Sequence, residues 1–155
     1  MSERERGLTY LELIATAAIL MILASAVMPL ARVTRTRQKE IELRRSLRTL
    51  RTALDEYKKD VDGGRIGGTD VKLGSEGYPP DLDVLIEGVN LVGRLDHKKK
   101  FLRRIPIDPM TGKAEWGMRC YQDKPDSTSW CRENVYDVYS LASGKALDGS
   151  KYQDW

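Results

Sequence analysis

Histidine occurs once, at His97, and cysteine twice, at Cys120 and Cys131, so this chain has few soft metal ligands. Two cysteines and one distant histidine do not make a zinc ligand set of any usual spacing. No G-x-S-x-G turn supplies a nucleophile, the glycines around Gly63 and Gly67 do not follow the phosphate-cradling pattern, and Asp96 merely adjoins His97. The sequence therefore offers no enzymatic constellation. Charge is scarce too, but only locally: between residues 8 and 31 the single charged residue is Glu12, in a chain where 32% of residues are charged.

That run, LTYLELIATAAILMILASAVMPLA, organises the rest of the chain. As a helix rising about 1.5 Å per residue it spans roughly 36 Å, against about 30 Å for a hydrocarbon core. A carboxylate in such a run is costly, by up to roughly 2.5 to 3.5 kcal/mol at mid-bilayer and less near an end, so Glu12 needs a reason. Three readings compete. A signal peptide would use Ala24-Ser25-Ala26 as its small-residue site; against it, the run holds Glu12, continues past Ala26, and follows Arg4 and Arg6 that are balanced by Glu3 and Glu5. A generic single-span anchor asks for nothing special ahead of the helix. The third reading starts from Arg6-Gly7.

Beyond Ala31 the helical pattern continues and becomes one-sided. Leu43, Leu47, Leu50, Leu54, Tyr57 and Val61 recur at steps of three and four, a single apolar stripe that requires a partner surface. Asp62-Gly63-Gly64 and Gly67-Gly68 end it. Together the two parts read as one rod of about 50 residues, roughly 80 Å long. Pro29 favours a kink within it. Between 32 and 51 stand eight basic residues, Arg32, Arg35, Arg37, Lys39, Arg44, Arg45, Arg48 and Arg51, against Glu40 and Glu42. By the positive-inside rule they favour a cytoplasmic C-terminal part. They read as a solvated helix face that meets acidic neighbours, or as a surface for anionic lipid or nucleic-acid phosphates.

After a glycine-rich loop, Leu82, Leu85 and Ile86 suit a short helix packed on the stripe, and the cluster Lys98-Lys99-Lys100 with Arg103-Arg104 reads as a solvated loop or helix face. Residues 114–120, with Trp116 and Met118, and 136–141, with Val138, are strand candidates. A small antiparallel sheet against the long helix is expected, an α+β fold. Behind a membrane span, Cys120 and Cys131 suggest an oxidising compartment and one short disulfide loop contributing on the order of 2 to 3 kcal/mol. Free thiols in a cytosolic domain are the other reading.

Arg6-Gly7-Leu8-Thr9-Tyr10-Leu11-Glu12-Leu13 resembles the class III leader of type IV pilins and pseudopilins, with Leu8 where the family usually has Phe. Tyr78-Pro79-Pro80 with Leu82 and Leu85, followed by Ile105-Pro106-Ile107-Asp108-Pro109-Met110-Thr111-Gly112, resembles the major pseudopilin of type II secretion, with Met110-Thr111-Gly112 where Trp-Gly often stands. The ending, Asp137-Val138-Tyr139-Ser140-Leu141 through a glycine-containing loop to Trp155, is similar too.

The resemblance implies a type IV pilin-like fold in three parts: a leader at 1–7, a transmembrane and polymerisation helix at 8–31, and a periplasmic globular domain at 32–155. It implies cutting between Gly7 and Leu8 by a prepilin peptidase, followed by N-methylation. The α-amino group made at Leu8, with a reference pKa of about 7.7 to 8.0, would neutralise Glu12 of a neighbouring subunit in lipid. Without assembly, Glu12 would sit at headgroup depth. The implied orientation, inner membrane with the C-terminal domain in the periplasm, opposes the positive-inside count.

The implied partners are other copies in a homopolymer, minor pseudopilins, the peptidase, an inner-membrane assembly platform and, before assembly, the membrane; nucleic acid is not among them. The resemblance also implies calcium in the last loop, on Ser140, Ser143, Asp148, Asp154 and backbone carbonyls. Gly144 stands where the family usually has an acid, and Lys145 adds a positive charge. The function implied is a structural subunit of a protein-export filament. A type IV pilin for adhesion, motility or DNA uptake is the alternative, which a cysteine pair near the C-terminus suits. From another class comes a single-span membrane protein with a basic helix for nucleic acid or lipid.

Overall fold

The computed structural model describes residues 9–67, 71–72 and 74–155 of the 155-residue chain. Its elements are a long helix α1 (Tyr10–Asp62), a short helix α2 (Asp83–Glu87), strands β1 (Val89–Leu91), β2 (Arg94–Lys99), β3 (Gly117–Arg119) and β4 (Asp137–Tyr139), and a closing 3-10 turn at Tyr152–Asp154. This is an α+β layout. The chain divides into two units, Met1–Gln38 and Lys39–Trp155.

The first unit contributes the apolar part of α1. Leu11, Leu13, Ile14, Ile19, Leu20, Met21, Ile22 and Leu23 are all exposed, on every side of the helix. By length and composition this helix is sufficient to cross a membrane, and none of its membrane-length window is buried. Three of its hydroxyls bond the backbone of the same helix: Thr16 Oγ1 donates to the Leu13 carbonyl at 3.0 Å, Ser25 Oγ to that of Ile22 at 2.7 Å and Thr34 Oγ1 to that of Leu30 at 3.0 Å. Such back-bonding suits a surrounding without water.

In the second unit the expected stripe forms one wall of the core. Leu43, Leu47, Leu50, Leu54 and Tyr57 are buried, joined by Ala53, and Val61 is partly buried against them. Leu82 and Leu85 of the α2 region, Val89, Leu102, Trp116, Val135, Val138 and Tyr152 complete it. The helix ends at the predicted glycines through a Schellman motif. Gly64 takes φ 66°, its N–H donates to the Val61 carbonyl at 2.9 Å, and the Arg65 N–H donates to that of Asp60 at 2.8 Å.

Two strand pairs replace the single sheet expected. β1 pairs antiparallel with β2, and β3 with β4 in the register Gly117↔Tyr139, Met118↔Val138, Arg119↔Asp137. The second pair matches the strand candidates; the first corrects the reading of Lys98 and Lys99 as loop or helix. Gly88 and Gly93, at φ 80° and 78°, turn the chain into and through this hairpin. Lys99 has a specific use there. Asp60 lies fully buried near the C-terminal end of α1, where the helix dipole disfavours a carboxylate. Lys99 Nζ and Arg65 Nη2 each approach it to 2.6 Å, and the bond to Asp60 pushes the Lys99 ammonium pKa above its usual value.

Candidate functional site

Glu12 sits in the first turn of α1, exposed. Thr9 immediately precedes the helix. Its carbonyl accepts from the Leu13 N–H at 3.1 Å, and its Oγ1 faces the Glu12 N–H at 3.4 Å. Thr9-x-x-Glu12 is thus a capping-box sequence, with Glu12 at a position favoured by the positive end of the helix dipole. That signal was available in the sequence and gives Glu12 a local role beside any role in assembly. Gly7 and Leu8, the expected processing site, lie outside the described residues.

A second constellation ties residues 137–155 onto α1. Glu40 Oε1 accepts from the Leu147 N–H at 2.8 Å and from the Tyr152 hydroxyl at 3.1 Å. Burial, and then this bond, push the Tyr152 phenol above its usual pKa. One turn on, Arg44 lies 4.1 Å over the Trp155 ring and reaches Asp148 Oδ2 at 3.4 Å. Two turns further, Arg51 Nε meets Asp137 Oδ1 at 2.6 Å while its Nη2 donates to the carbonyls of Val138 and Trp155 at 3.1 and 2.8 Å. A second guanidinium converges on the same carboxylate. Arg119, nearly buried, reaches Asp137 Oδ2 at 3.4 Å, donates to the Gln153 carbonyl at 3.0 Å and stacks 4.1 Å over Tyr139. The Tyr139 ring in turn occupies the space a Cβ on Gly117 would need. Glu40, Arg44 and Arg51 therefore form a latch, in which the Arg51–Asp137 pair is better shielded than the Arg44–Asp148 pair.

The latch bears directly on the calcium expectation. Ser140 is fully buried, and its Oγ donates to Asp108 Oδ2 at 2.6 Å; the other oxygen of Asp108 accepts from the Met110 N–H at 2.7 Å. Ser140 thus closes the Asp-Pro turn. Asp148 Oδ1 accepts from the Ser150 N–H and hydroxyl at 2.9 and 2.6 Å, its Oδ2 faces Arg44, and the Ser150 bonds hold its carboxyl below the usual range. Lys145 and Lys151 bridge across the same loop. Ser143 and Asp154 are exposed. A hard divalent cation wants several free oxygens converging on one point, and this donor set does not fit one. Among the described residues, one group of three candidate ligands does converge, Cys120, Asp123 and Cys131, but its two sulfurs are joined as a disulfide. No thiolate is left there to bind metal.

The disulfide closes a well-bonded loop. Asp123 Oδ2 accepts from the Cys120 N–H at 2.7 Å, and the buried Asn134 accepts from the Tyr121 N–H at 3.0 Å on its side chain and from Trp130 Nε1 at 2.8 Å on its carbonyl. The chain matches no protein-family model, no curated protein and no solved structure.

Proposed function

We propose that this chain is a structural subunit of a type II secretion pseudopilus, processed between Gly7 and Leu8 by a prepilin peptidase, held in the inner membrane and then polymerised into a periplasmic filament that drives protein export. The observation that carries the reading is the contrast along α1: an apolar half exposed on every side, and a half that buries a single stripe in a small α+β domain. So large an exposed apolar surface marks a membrane or protein partner. A filament core of packed helices supplies the same dry surrounding as lipid, so one surface serves both stages. Glu12, paired with the α-amino group of a neighbouring subunit, would then register the subunits. Tyr78-Pro79, the Asp108-Pro109 turn and the latched ending at Trp155 support the resemblance in order along the chain.

One observation favours the second reading, a type IV pilin. The disulfide Cys120–Cys131 lies in the C-terminal part, where many type IV pilins have one and secretion pseudopilins often do not. Both readings share the leader and Glu12. The mature N-terminus, read by mass spectrometry on protein from cells containing a prepilin peptidase, tests them together: a methylated Leu8 is expected, and a start at Ser2 or Val27 contradicts both. Loss of secretion on deleting the gene supports the first reading, and loss of surface fibres with secretion intact supports the second.

A further inference from the structure

Arg44 and Arg51 are used within the fold, but Arg32, Arg35 and Arg37 are not. All three are exposed, and none makes an ion pair or hydrogen bond among the described residues. Their position along α1 is informative. From Tyr10 to Ala31 the helix rises roughly 33 Å, close to the about 30 Å of a hydrocarbon core. Arg32, Arg35 and Arg37 then fall roughly 1.5, 6 and 9 Å beyond Ala31. A headgroup layer is about 5 to 8 Å thick on each side, and a long arginine side chain covers the remaining distance. Their angular positions matter as much. At about 100° per residue they point in directions roughly 0°, 300° and 140° around the axis, so they ring the helix instead of lining one face. A ring suits a phase that surrounds the helix; a nucleic-acid groove or a docked protein approaches from one side.

Taking the apolar run as membrane-resident, we infer that Arg32, Arg35 and Arg37 form a collar that binds the headgroup phosphates of anionic phospholipids in the leaflet where the run ends. Guanidinium groups bind phosphate oxygens in bidentate fashion, and an extra negative lipid charge strengthens the contact. Ahead of the run in the sequence, Arg4 and Arg6 are balanced by Glu3 and Glu5. The inference needs the helix in a bilayer and requires nothing of filaments, so it and the proposed function fail separately. It also gives a use to the basic charge that the positive-inside count would place in the cytoplasm. Anionic lipid on either side of the membrane would hold this end of the span.

The test uses the full chain in nanodiscs of equal parts phosphatidylglycerol and phosphatidylcholine, with native mass spectrometry counting the lipids that stay bound. The wild-type chain is expected to retain phosphatidylglycerol in excess, by roughly fivefold per arginine at low salt, from the about 1 kcal/mol of a basic group at an anionic surface. The triple variant Arg32→Gln, Arg35→Gln, Arg37→Gln should bring the ratio back near that of the disc. Arg45→Gln with Arg48→Gln, which removes two exposed charges further along α1 that pair with no described residue, should leave the excess in place. Salt at several hundred millimolar should reduce the wild-type excess without any substitution. Equal retention of the two lipids by the wild-type chain overturns the inference, as does an excess that the triple variant keeps. Duplex DNA bound by the wild-type chain and lost in the triple variant, with no excess of anionic lipid in the discs, would also overturn it, reassigning the collar to nucleic acid.

Discussion

The two halves of α1 obey one helical geometry and carry opposite surfaces. In the half beyond Lys39, apolar side chains keep to one stripe, and that stripe is covered by the chain's own loops, strands and α2. In the half before Gln38, apolar side chains stand all round, and none of the membrane-length window is covered. The first pattern shows a helix whose partner is in the same domain. The second shows a helix whose surroundings lie outside the unit that carries it. Substitutions in the two halves should therefore behave differently.

The largest expected effect comes from Leu50→Ala or Leu54→Ala. Both side chains are fully buried, and each substitution should lower the stability of the folded domain by about 2 to 5 kcal/mol. Leu20→Ala, in the exposed half, should change it by less than about 0.5 kcal/mol. Equal losses by chemical denaturation would break the comparison. Next comes the latch. Arg51→Ala leaves Asp137 with Arg119 alone and strips two carbonyls of a donor, a loss of about 1 to 3 kcal/mol in the same assay. Reducing Cys120–Cys131 should cost about 2 to 3 kcal/mol in the chain-entropy model, measured as a shift in thermal midpoint with and without reductant.

The smallest effect is alkaline. Tyr78, Lys99 and Tyr152 each have a folded pKa above the ordinary value near 10. A raised pKa contributes stability that is fully present below the unfolded value and lost as pH rises through the folded one. Stability should therefore begin to fall above about pH 10, and Tyr152→Phe should make that fall shallower.

Much of this contrast was legible in the sequence, because periodicity is local. The stripe from Leu43 to Tyr57, its end at Gly63-Gly64, the short helix around Leu85 and the paired strands at Met118 and Val138 all followed from spacing and turn chemistry. The β1–β2 hairpin did not. Its second strand runs through Lys98 and Lys99, whose charge masks the alternation, and Lys99 gains its meaning only from Asp60, 39 residues earlier. The latch was hidden for the same reason: Arg44 and Arg51 find their acids 104 and 86 residues away. Ser140, which resemblance to a family ending places in a metal set, bonds Asp108, 32 residues back in the chain. Thr9-x-x-Glu12 is a local signal, legible from spacing alone, that gives Glu12 a place in a helix cap beside its charge.

That double character of Glu12 sets the most direct test. Glu12→Gln keeps a side chain that can complete the cap but removes the charge that would pair with a neighbouring α-amino group. Filament formation by the full-length protein, scored by electron microscopy of sheared fibres from cells expressing the assembly machinery, should be lost in Glu12→Gln, while the variant is still processed and its domain is folded with the disulfide formed. Filaments of wild-type number and length from Glu12→Gln would contradict the account and leave Glu12 as a helix cap.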